Sequence, residues 1–359
     1  MLKFLHIVGT RPNFMKAAPV LAAMSARNVP QLLLHTGQHY DANMSDVFFE
    51  QLGMSPPDIN LEVGSGSHAA QAAEVMMRLE KVLIEQRPDW IVVYGDVNST
   101  MAASLVASKM GIRIAHVEAG LRSRDRSMPE EINRLVTDQL ADLLFTPSKD
   151  GDENLIREGI PKEKIRFVGN VMIDTLARLL PQADLKWSQL KSRFELTDYV
   201  LVTLHRPSNV DDEHTLKEIV SALETIAKSM VVMFPVHPRT KGKLAAMGFE
   251  SSVQFRLIEP QGYLEFLALQ RHARVLITDS GGIQEETTYL GIPCLTLREN
   301  TERPITISEG TNVLIGRDMN LLMSEFNAIV AGRGKKGSVP DLWDGKASER
   351  IADILVHQS

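Results

Sequence analysis

Short apolar, β-rich runs alternate along the chain with longer segments of helical period. In the first half these runs are FLHIVGT, QLLLHTG, WIVVYGD, IRIAHVEAG, LLFTPS and IRFVGN, separated by stretches such as AAQAAEVMMRLEKVLIEQR. Apolar runs bounded by turn residues and joined by helical crossovers predict a parallel sheet wrapped by helices. After VMIDTLARLLPQADLKWSQLKSRFELTD the pattern restarts with YVLVTLHR, VVMFPVH, VQFRLIEP, RVLITDS, IPCLTL and TNVLIG. The expected fold class is therefore α/β, with two Rossmann-like domains over residues 1–180 and 181–345 and a terminal helix within 346–359. The Pro-containing segment near 181–198 is the expected linker, and GRGKKGSVPDLWDG reads as loop.

The polar residues collect at one kind of place. Strand after strand is apolar to its carboxyl end, where the chain reads GTRP (9–12), TGQH (36–39), GDVNST (95–100), HVEAGLR (116–122), LHRPSN (204–209), PVHPR (235–239) and TDSGGIQEE (278–286). Open parallel sheets bind ligands outside the carboxyl ends of their strands, because right-handed crossovers bring the following helices' N-termini there. Any single polar end is also what a strand needs to enter a loop. Such ends recurring in both halves point to a ligand site in a cleft between two domains.

At 359 residues, with 44% hydrophobic and 23% charged residues, the chain has ordinary globular composition and length for about two domains. A net charge of -6 and an isoelectric point near 6.0 give no electrostatic reason to expect nucleic acid or an anionic membrane as partner. An anionic ligand has to be gripped locally. The one cysteine, Cys294, lies within IPCLTL and reads as a buried small hydrophobe in a reducing compartment. The N-terminal apolar run is short for a secretion signal, and no apolar stretch reaches the roughly eighteen residues of a membrane span. The expected setting is cytoplasmic.

DSGGIQEE has the form strand, two glycines, helix. Ser280, Gly281 and Gly282 can offer a hydroxyl and backbone N–H groups to a phosphate at a helix N-terminus, or can simply cap and pack a turn. Arg11 and Lys16 lie across the start of a helix that Pro12 suits, and Arg303 follows a strand of the second half. Arginine can chelate a phosphate and lysine adds a point charge, although helix-end charges are commonly just solvated. Together these residues suggest a diphosphate held without metal. His35 and His39 flank Gly37 at a strand end and share no helix face. In DANMSD, Asp46 takes the place of a calcium loop's glycine and Leu52 that of its glutamate. No GxGxxG, GxxxxGK[ST] or GxSxG occurs, which argues against a standard dinucleotide fold, a P-loop and a hydrolase elbow.

HVEAGLRSRDRSMPEEINR, residues 116–134, packs three glutamates, an aspartate and four arginines behind an apolar strand. Period-two alternation puts Ile112, Ile114, His116 and Glu118 on one side. Glu130 and Glu131 follow Pro129 at a helix start. There Ser127 and Glu130 fit a capping box, both glutamates suit the positive helix end, and Arg134 can pair with either. Asp96, after WIVVYG, can equally cap the helix NSTMAASLVASKMG.

Taken in order, GTRP with Lys16, TGQH, GDVNST, HVEAGLR, PEEINR, VGNVMID, LHRPSN, PVH, DSGGIQEE and TERP resemble the non-hydrolysing UDP-N-acetylglucosamine 2-epimerase family over nearly the whole chain. The resemblance implies a glycosyltransferase B type fold with a nucleotide sugar in the interdomain cleft, the terminal helix packed back on the first domain, and a homodimer. It implies acid/base candidates at Asp96, Glu118, Glu130 and His205. Its UDP and sugar contacts fall on Arg11, Lys16, Gln261, Phe266, Ser280, Gly281, Gly282, Glu286 and Arg303. Gln261 and Phe266 come from EPQGYLEF, which by pattern alone is loop and core.

The chemistry is intelligible from the substrate. The hydrogen at C2 of an N-acetylhexosamine is not next to a carbonyl carbon, so a carboxylate removes it poorly unless something makes it acidic. Oxidation of a neighbouring hydroxyl by NAD would do so, but the dinucleotide fingerprint is absent and no cofactor is expected. Coupling loss of the C2 proton to departure of UDP from C1 instead gives a glycal, to which UDP re-adds with the proton on the opposite face. Carboxylates can move the protons and stabilise oxocarbenium-like charge, while Arg, His and backbone N–H groups hold the departing diphosphate. On this reading Asp96, Glu118 and Glu130 surround the sugar and His205 lies near the C1 oxygen and diphosphate. The base for each face stays open.

The chain departs from the family's commonest form at Asn13, where many members have Glu, at HRPSN in place of HRREN, and in a Glu118–Glu130 segment shorter by two residues. These features resemble members of polysaccharide pathways, some of which use diacetamido uronic acid derivatives, so the exact UDP-sugar is open. Members can be activated by substrate at a second site near TGQH, and QHYDANMSD differs after His39. The alternatives are a glycosyltransferase sharing fold and donor, a hydrolysing epimerase, and a non-catalytic nucleotide-sugar sensor. Retention of the three carboxylates and His205 speaks against the sensor.

Overall fold

The computed structural model describes residues 2–38 and 46–358. The readings that involve His39 and residues 41–45 lie outside them. Among the described residues two parallel sheets form, each in its own compact unit: Met1–Leu176 with Asp341–Ser359, and Ala177–Pro340. The first sheet holds β1 (Phe4–Val8), β2 (Gln31–His35), β3 (Ile59–Asn60), β4 (Trp90–Tyr94), β5 (Arg113–Val117), β6 (Leu143–Thr146) and β7 (Ile165–Phe167), in the order β3-β2-β1-β4-β5-β6-β7. The second holds β8 (Tyr199–Thr203), β9 (Val231–Pro235), β10 (Phe255–Ile258), β11 (Val275–Thr278), β12 (Cys294–Thr296) and β13 (Asn312–Leu314), in the order β10-β9-β8-β11-β12-β13. The expected pair of Rossmann-like α/β units is what forms.

Both strand orders reverse once, at β1/β4 and at β8/β11. Loops leaving the two strands at such a point diverge and open a crevice at the sheet's carboxyl edge. The strands beside it read as unbroken apolar runs because helices cover both faces; every residue of β1 and β4 is buried. Leu5, Ile7, Ile91 and Val93 belong to the core of the first unit, and Val200, Val202, Phe234 and Ile277 to that of the second.

The segment expected to be a linker is helical. Helix Val171–Arg193 runs through it with Pro181 inside, and the two units divide within that helix, after Leu176. The chain from Asp341 onward belongs to the first unit, so the second stops short of residue 345. Trp343 Nε1 donates to Pro147 O at 2.8 Å, and the Asp174 carboxylate accepts from Ala347 N and Ser348 N at 3.1 and 2.7 Å. Helix Ala347–Val356 packs on helix Arg11–Ser25, where Asp353 pairs with Arg27 at 2.7 Å. Helix Arg11–Ser25 itself carries Pro19, which has no N–H for the carbonyl of Met15. The Thr175 hydroxyl replaces that donor at 2.6 Å. Among the described residues no helix is long and apolar enough to cross a membrane.

Candidate active site

At the β1/β4 switch point the chain is tied together by Asn13. Its Oδ1 accepts from Gly9 N and Thr10 N, each at 3.1 Å, while its Nδ2 donates to Tyr94 O at 2.9 Å. An ionised glutamate here would have no donor for Tyr94, so the departure at residue 13 joins the start of the first helix to the end of β4. The next polar turn of the helix presents Lys16, whose Nζ lies 2.6 Å from Glu118 Oε2, with both side chains buried. A Cβ at residue 95 would come within 2.8 Å of that Nζ, and Gly95 adopts a φ of +61°, so GDVNST needs its glycine twice over. Gln38 of the TGQ turn joins the same loops, its Oε1 accepting from Ser99 N and Oγ at 3.1 and 2.7 Å.

Strand alternation does not extend to Glu118. β5 ends at Val117 and Glu118 takes a left-handed φ of 74°, with its N–H donating to Phe145 O at 3.1 Å.

Helix Pro129–Leu140 turns a polar face inward. Glu131, Asn133, Arg134, Thr137 and Asp138 are buried while Ile132 is exposed. Residues 131, 134 and 138 are neighbours on one helical face. From that face Arg134 reaches Asp96 Oδ2 through Nε and Nη2, at 3.0 and 2.8 Å, and Glu131 Oε2 through Nη1, at 2.5 Å. Glu131 also accepts from Ser123 N and Arg124 N, both at 2.9 Å, and Asn133 donates to Asp96 O at 2.9 Å. Glu131 and Arg134 thus form, with Asp96, a charged lattice that links loops, while Arg124 and Arg126 of the same segment are exposed.

Two local expectations fail, and a third resolves to one of its two partners. The Ser127 hydroxyl donates to Asp125 Oδ1 at 2.6 Å, and the N-cap is Met128, so no capping box with Glu130 forms. Arg134 pairs with Glu131 and Asp96 and leaves Glu130 aside. Asp96 caps no helix, because Val97 holds the N-cap of Asn98–Lys109. The half-buried Glu130 side chain makes no hydrogen bond or ion pair among the described residues.

At the β8/β11 switch point, Asp279 is fully buried and gathers His205 N at 3.1 Å, Arg206 N at 2.9 Å, Asn209 Nδ2 at 3.1 Å and His205 Nδ1 at 2.8 Å. Burial alone would raise this carboxyl, but His205 and the other donors hold it below its ordinary range. The His205 side chain is 61% exposed. Its Nε2 is the ring nitrogen that Asp279 leaves free to meet a ligand.

Ser280 is the N-cap of helix Gly281–Leu290 and makes no side-chain cap hydrogen bond. A Cβ on Gly281 would lie 2.6 Å from Arg303 Nη1, whereas one on Gly282 would meet open space. Gly281 therefore makes room for an arginine, and Gly282 is the glycine with space beside it. Arg303 is buried, with Nε 3.0 Å from Glu285 Oε1 and Nη1 3.0 Å from Glu302 Oε1; Arg298 meets Glu302 Oε2 at 2.7 Å. One turn along the same helix, Glu286 accepts the Tyr263 hydroxyl at 2.9 Å, and burial pushes its carboxyl up to about 7. Gln261 Nε2 donates to Glu259 O at 2.6 Å, and Phe266 is half-buried on helix Tyr263–His272.

In the first unit the structure thus brings Lys16 to Glu118, with Arg11 half-buried at the start of the same helix as Lys16, and holds Asp96 to the helix that Glu130 begins. In the second, His205, Ser280, Gly281, Gly282 and Arg303 follow the central strands or abut their loops, with Glu286, Gln261 and Phe266 on or beside the next helices. Sequence reading offers Glu131 as a partner of Arg134, as found, but does not single out Asn133, Asp138 or Asp279. The spacing of Glu131, Arg134 and Asp138 was the available signal for a polar inward face; Asp279 had none beyond its place before two glycines.

The sequence profile of the family described as UDP-N-acetylglucosamine 2-epimerase matches residues 22–356. The chain belongs to that family. A UDP-N-acetylglucosamine 2-epimerase of Methanocaldococcus jannaschii is 42% identical over 99% of each chain. A UDP-2,3-diacetamido-2,3-dideoxy-D-glucuronate 2-epimerase of Pseudomonas aeruginosa is 40% identical, also over 99% of each. The crystal structure of the M. jannaschii UDP-GlcNAc 2-epimerase in complex with UDP-GlcNAc and UDP has a TM-score of 0.89 at 42% identity, covering 99% of this chain and 100% of that one. The family resemblance drawn from the ordered motifs holds along the full length.

Proposed function

We propose that this chain is a non-hydrolysing UDP-N-acetylglucosamine 2-epimerase, an isomerase interconverting UDP-GlcNAc and UDP-ManNAc for cell-surface polysaccharide precursors. The observation that carries the reading is the set of carboxylates at the first sheet's switch point, where Lys16 meets Glu118 and Arg134 meets Asp96, in a member of this family. Proton removal from C2 is feasible only together with departure of UDP from C1. The C2–H electron pair becomes the C1–C2 double bond of a 2-acetamidoglucal, the C1–O pair leaves with UDP, and the proton passes to a carboxylate. Re-addition of UDP at C1 and of a proton at C2 from the other face completes the inversion.

Each direction needs one carboxylate that begins ionised and one that begins protonated. Asp96, Glu118 and Glu130 are the carboxylates assigned to these two parts. His205, held at Nδ1 by Asp279, offers Nε2 to the diphosphate, with Arg303, Ser280 and the N–H groups that open helix Gly281–Leu290. Arg11, Lys16, Gln261, Phe266, Gly282 and Glu286 are assigned to UDP and sugar contacts.

Incubation with UDP-GlcNAc in deuterated water, followed by NMR at C2, tests the reading. Deuterium at C2 with UDP still attached is expected; free sugar would indicate hydrolysis, an acceptor-dependent product a transferase, and no exchange with any UDP-sugar a sensor. A second reading, a 2-epimerase of a diacetamido uronic acid UDP-sugar, is favoured by the 40% identity to the P. aeruginosa enzyme over its full length. The same assay with that sugar separates the two. The proposal includes a cytoplasmic homodimer, for which light scattering should give twice the chain mass.

A further inference from the structure

We propose that His116, Asp138 and Arg122 form a positioning unit that fixes the two loops from which Asp96 and Glu118 project; this rests on the epimerase reading of those carboxylates. The three side chains are 0%, 0% and 2% exposed. His116 stands in β5, between the other two elements it touches. Its Nδ1 lies 2.6 Å from Asp138 Oδ1 and its Nε2 2.8 Å from Gly95 O. Asp138 Oδ2 accepts from Gly120 N at 3.1 Å and lies 2.7 Å from Arg122 Nη2. Arg122 is braced in turn by both oxygens of Glu158, at 2.9 and 2.6 Å. One side chain therefore fastens the residue before Asp96, and its partner fastens the residue two beyond Glu118.

Those backbones need fastening. Gly95, Glu118 and Gly120 adopt φ of 61°, 74° and 82°. Glycine enters that region freely, but for a glutamate it is unfavourable and persists only where the surroundings over-determine it. Glu118 is held on one side by Phe145 O and on the other through Gly120 and Asp138. The pattern of donors is also decided. Gly95 O can only accept, and Asp138, which burial alone would raise, is kept below its ordinary range by His116 and Arg122. Nε2 of His116 therefore donates to Gly95 O, while Nδ1 faces the Asp138 carboxylate. Glutamine bears its donors on a single nitrogen and cannot span from Asp138 to Gly95.

None of the three is assigned a contact with substrate, so their removal should appear in turnover and not in nucleotide binding. His116→Gln is expected to lower kcat for C2 exchange about hundredfold, as a misplacement of about 1 Å does, with KM and calorimetric UDP affinity unchanged. Unchanged turnover, or a loss of UDP affinity in proportion to kcat, overturns the proposal. If this variant fails to fold, Arg122→Gln, which leaves His116 on Asp138 and Gly95 O but removes the charge beside Asp138, should give a smaller fall in kcat, again without change in KM; a folded Arg122→Gln with wild-type kcat overturns it. Ring nitrogen NMR of the wild type is independent of turnover. It should show a protonated Nε2 on His116, hydrogen-bonded to Gly95 O, and an unprotonated Nε2 overturns the proposal even where wild-type exchange has failed and the epimerase reading with it.

Discussion

Lys16 and Glu118 face each other at 2.6 Å with almost no exposed surface on either side chain. Removing one partner of a buried pair strands the other charge and costs about 3–5 kcal/mol. Lys16→Met is therefore expected to destabilise the protein by about 3 kcal/mol or more. Adding Glu118→Gln should recover part of that loss, since neither charge is then left alone. Denaturation of both single variants and the double closes the cycle, and additive losses would remove the coupling.

Glu130 presents the opposite case. Its side chain has no hydrogen bond to lose among the described residues, so Glu130→Gln should alter stability by no more than about 0.5 kcal/mol. Its turnover should nonetheless fall by about 10² or more, the usual worth of a positioned acid or base. Near-native turnover would take Glu130 out of the carboxylate set.

The buried Glu286 carboxyl titrates near 7, against an ordinary 4.5. The folded state holds this proton more tightly than the unfolded chain does. Its contribution to stability is therefore full below pH 4.5, declines from there to about 7, and is absent above. The difference amounts to about 3 kcal/mol. Glu286→Gln keeps the neutral form at every pH and should flatten this slope, measured as the unfolding free energy between pH 5 and pH 7 relative to wild type. A slope that survives the substitution has another source.

Asp279 has the reverse sign. Its folded carboxyl lies below the ordinary 3.8, so the stability it supplies is present above that pH and is lost as acid carries it through the lower folded value. Asp279→Asn should show less of this acid loss. It should also reduce turnover by about 10², because His205 loses the charge that orients its Nδ1. Wild-type turnover in the folded variant would leave Asp279 a purely structural residue.

Ending the chain at Pro340 would uncover the side chains that Trp343, Ile351 and Leu355 now cover and leave Asp174 without its two N–H donors. Burial of such side chains is worth about 1.5–3 kcal/mol each, a sum comparable with the whole stability of a domain. The truncated chain should be cut by protease in the first unit before the second. Equal resistance of both units would show that the returning segment contributes little.

Much of this architecture was written locally. Unbroken apolar runs determined where parallel strands lie, and the polar clusters at their carboxyl ends marked the loops that carry Asp96, Glu118, His205 and Ser280 and the helix start that presents Lys16, because strand period and turn chemistry depend on near neighbours. Partner choice did not follow from it. Glu130 and Glu131 are adjacent and identical in type, yet only the second faces Arg134. Helix Pro129–Leu140 buries its polar side and exposes Ile132, the reverse of the usual direction of an amphipathic helix. Pro181 looked like a break and lies inside a helix, and the return of Trp343 to Pro147 spans 196 residues. Those outcomes depend on which surfaces meet when each sheet closes on its helices, a matter of long-range packing that neighbouring residues do not encode.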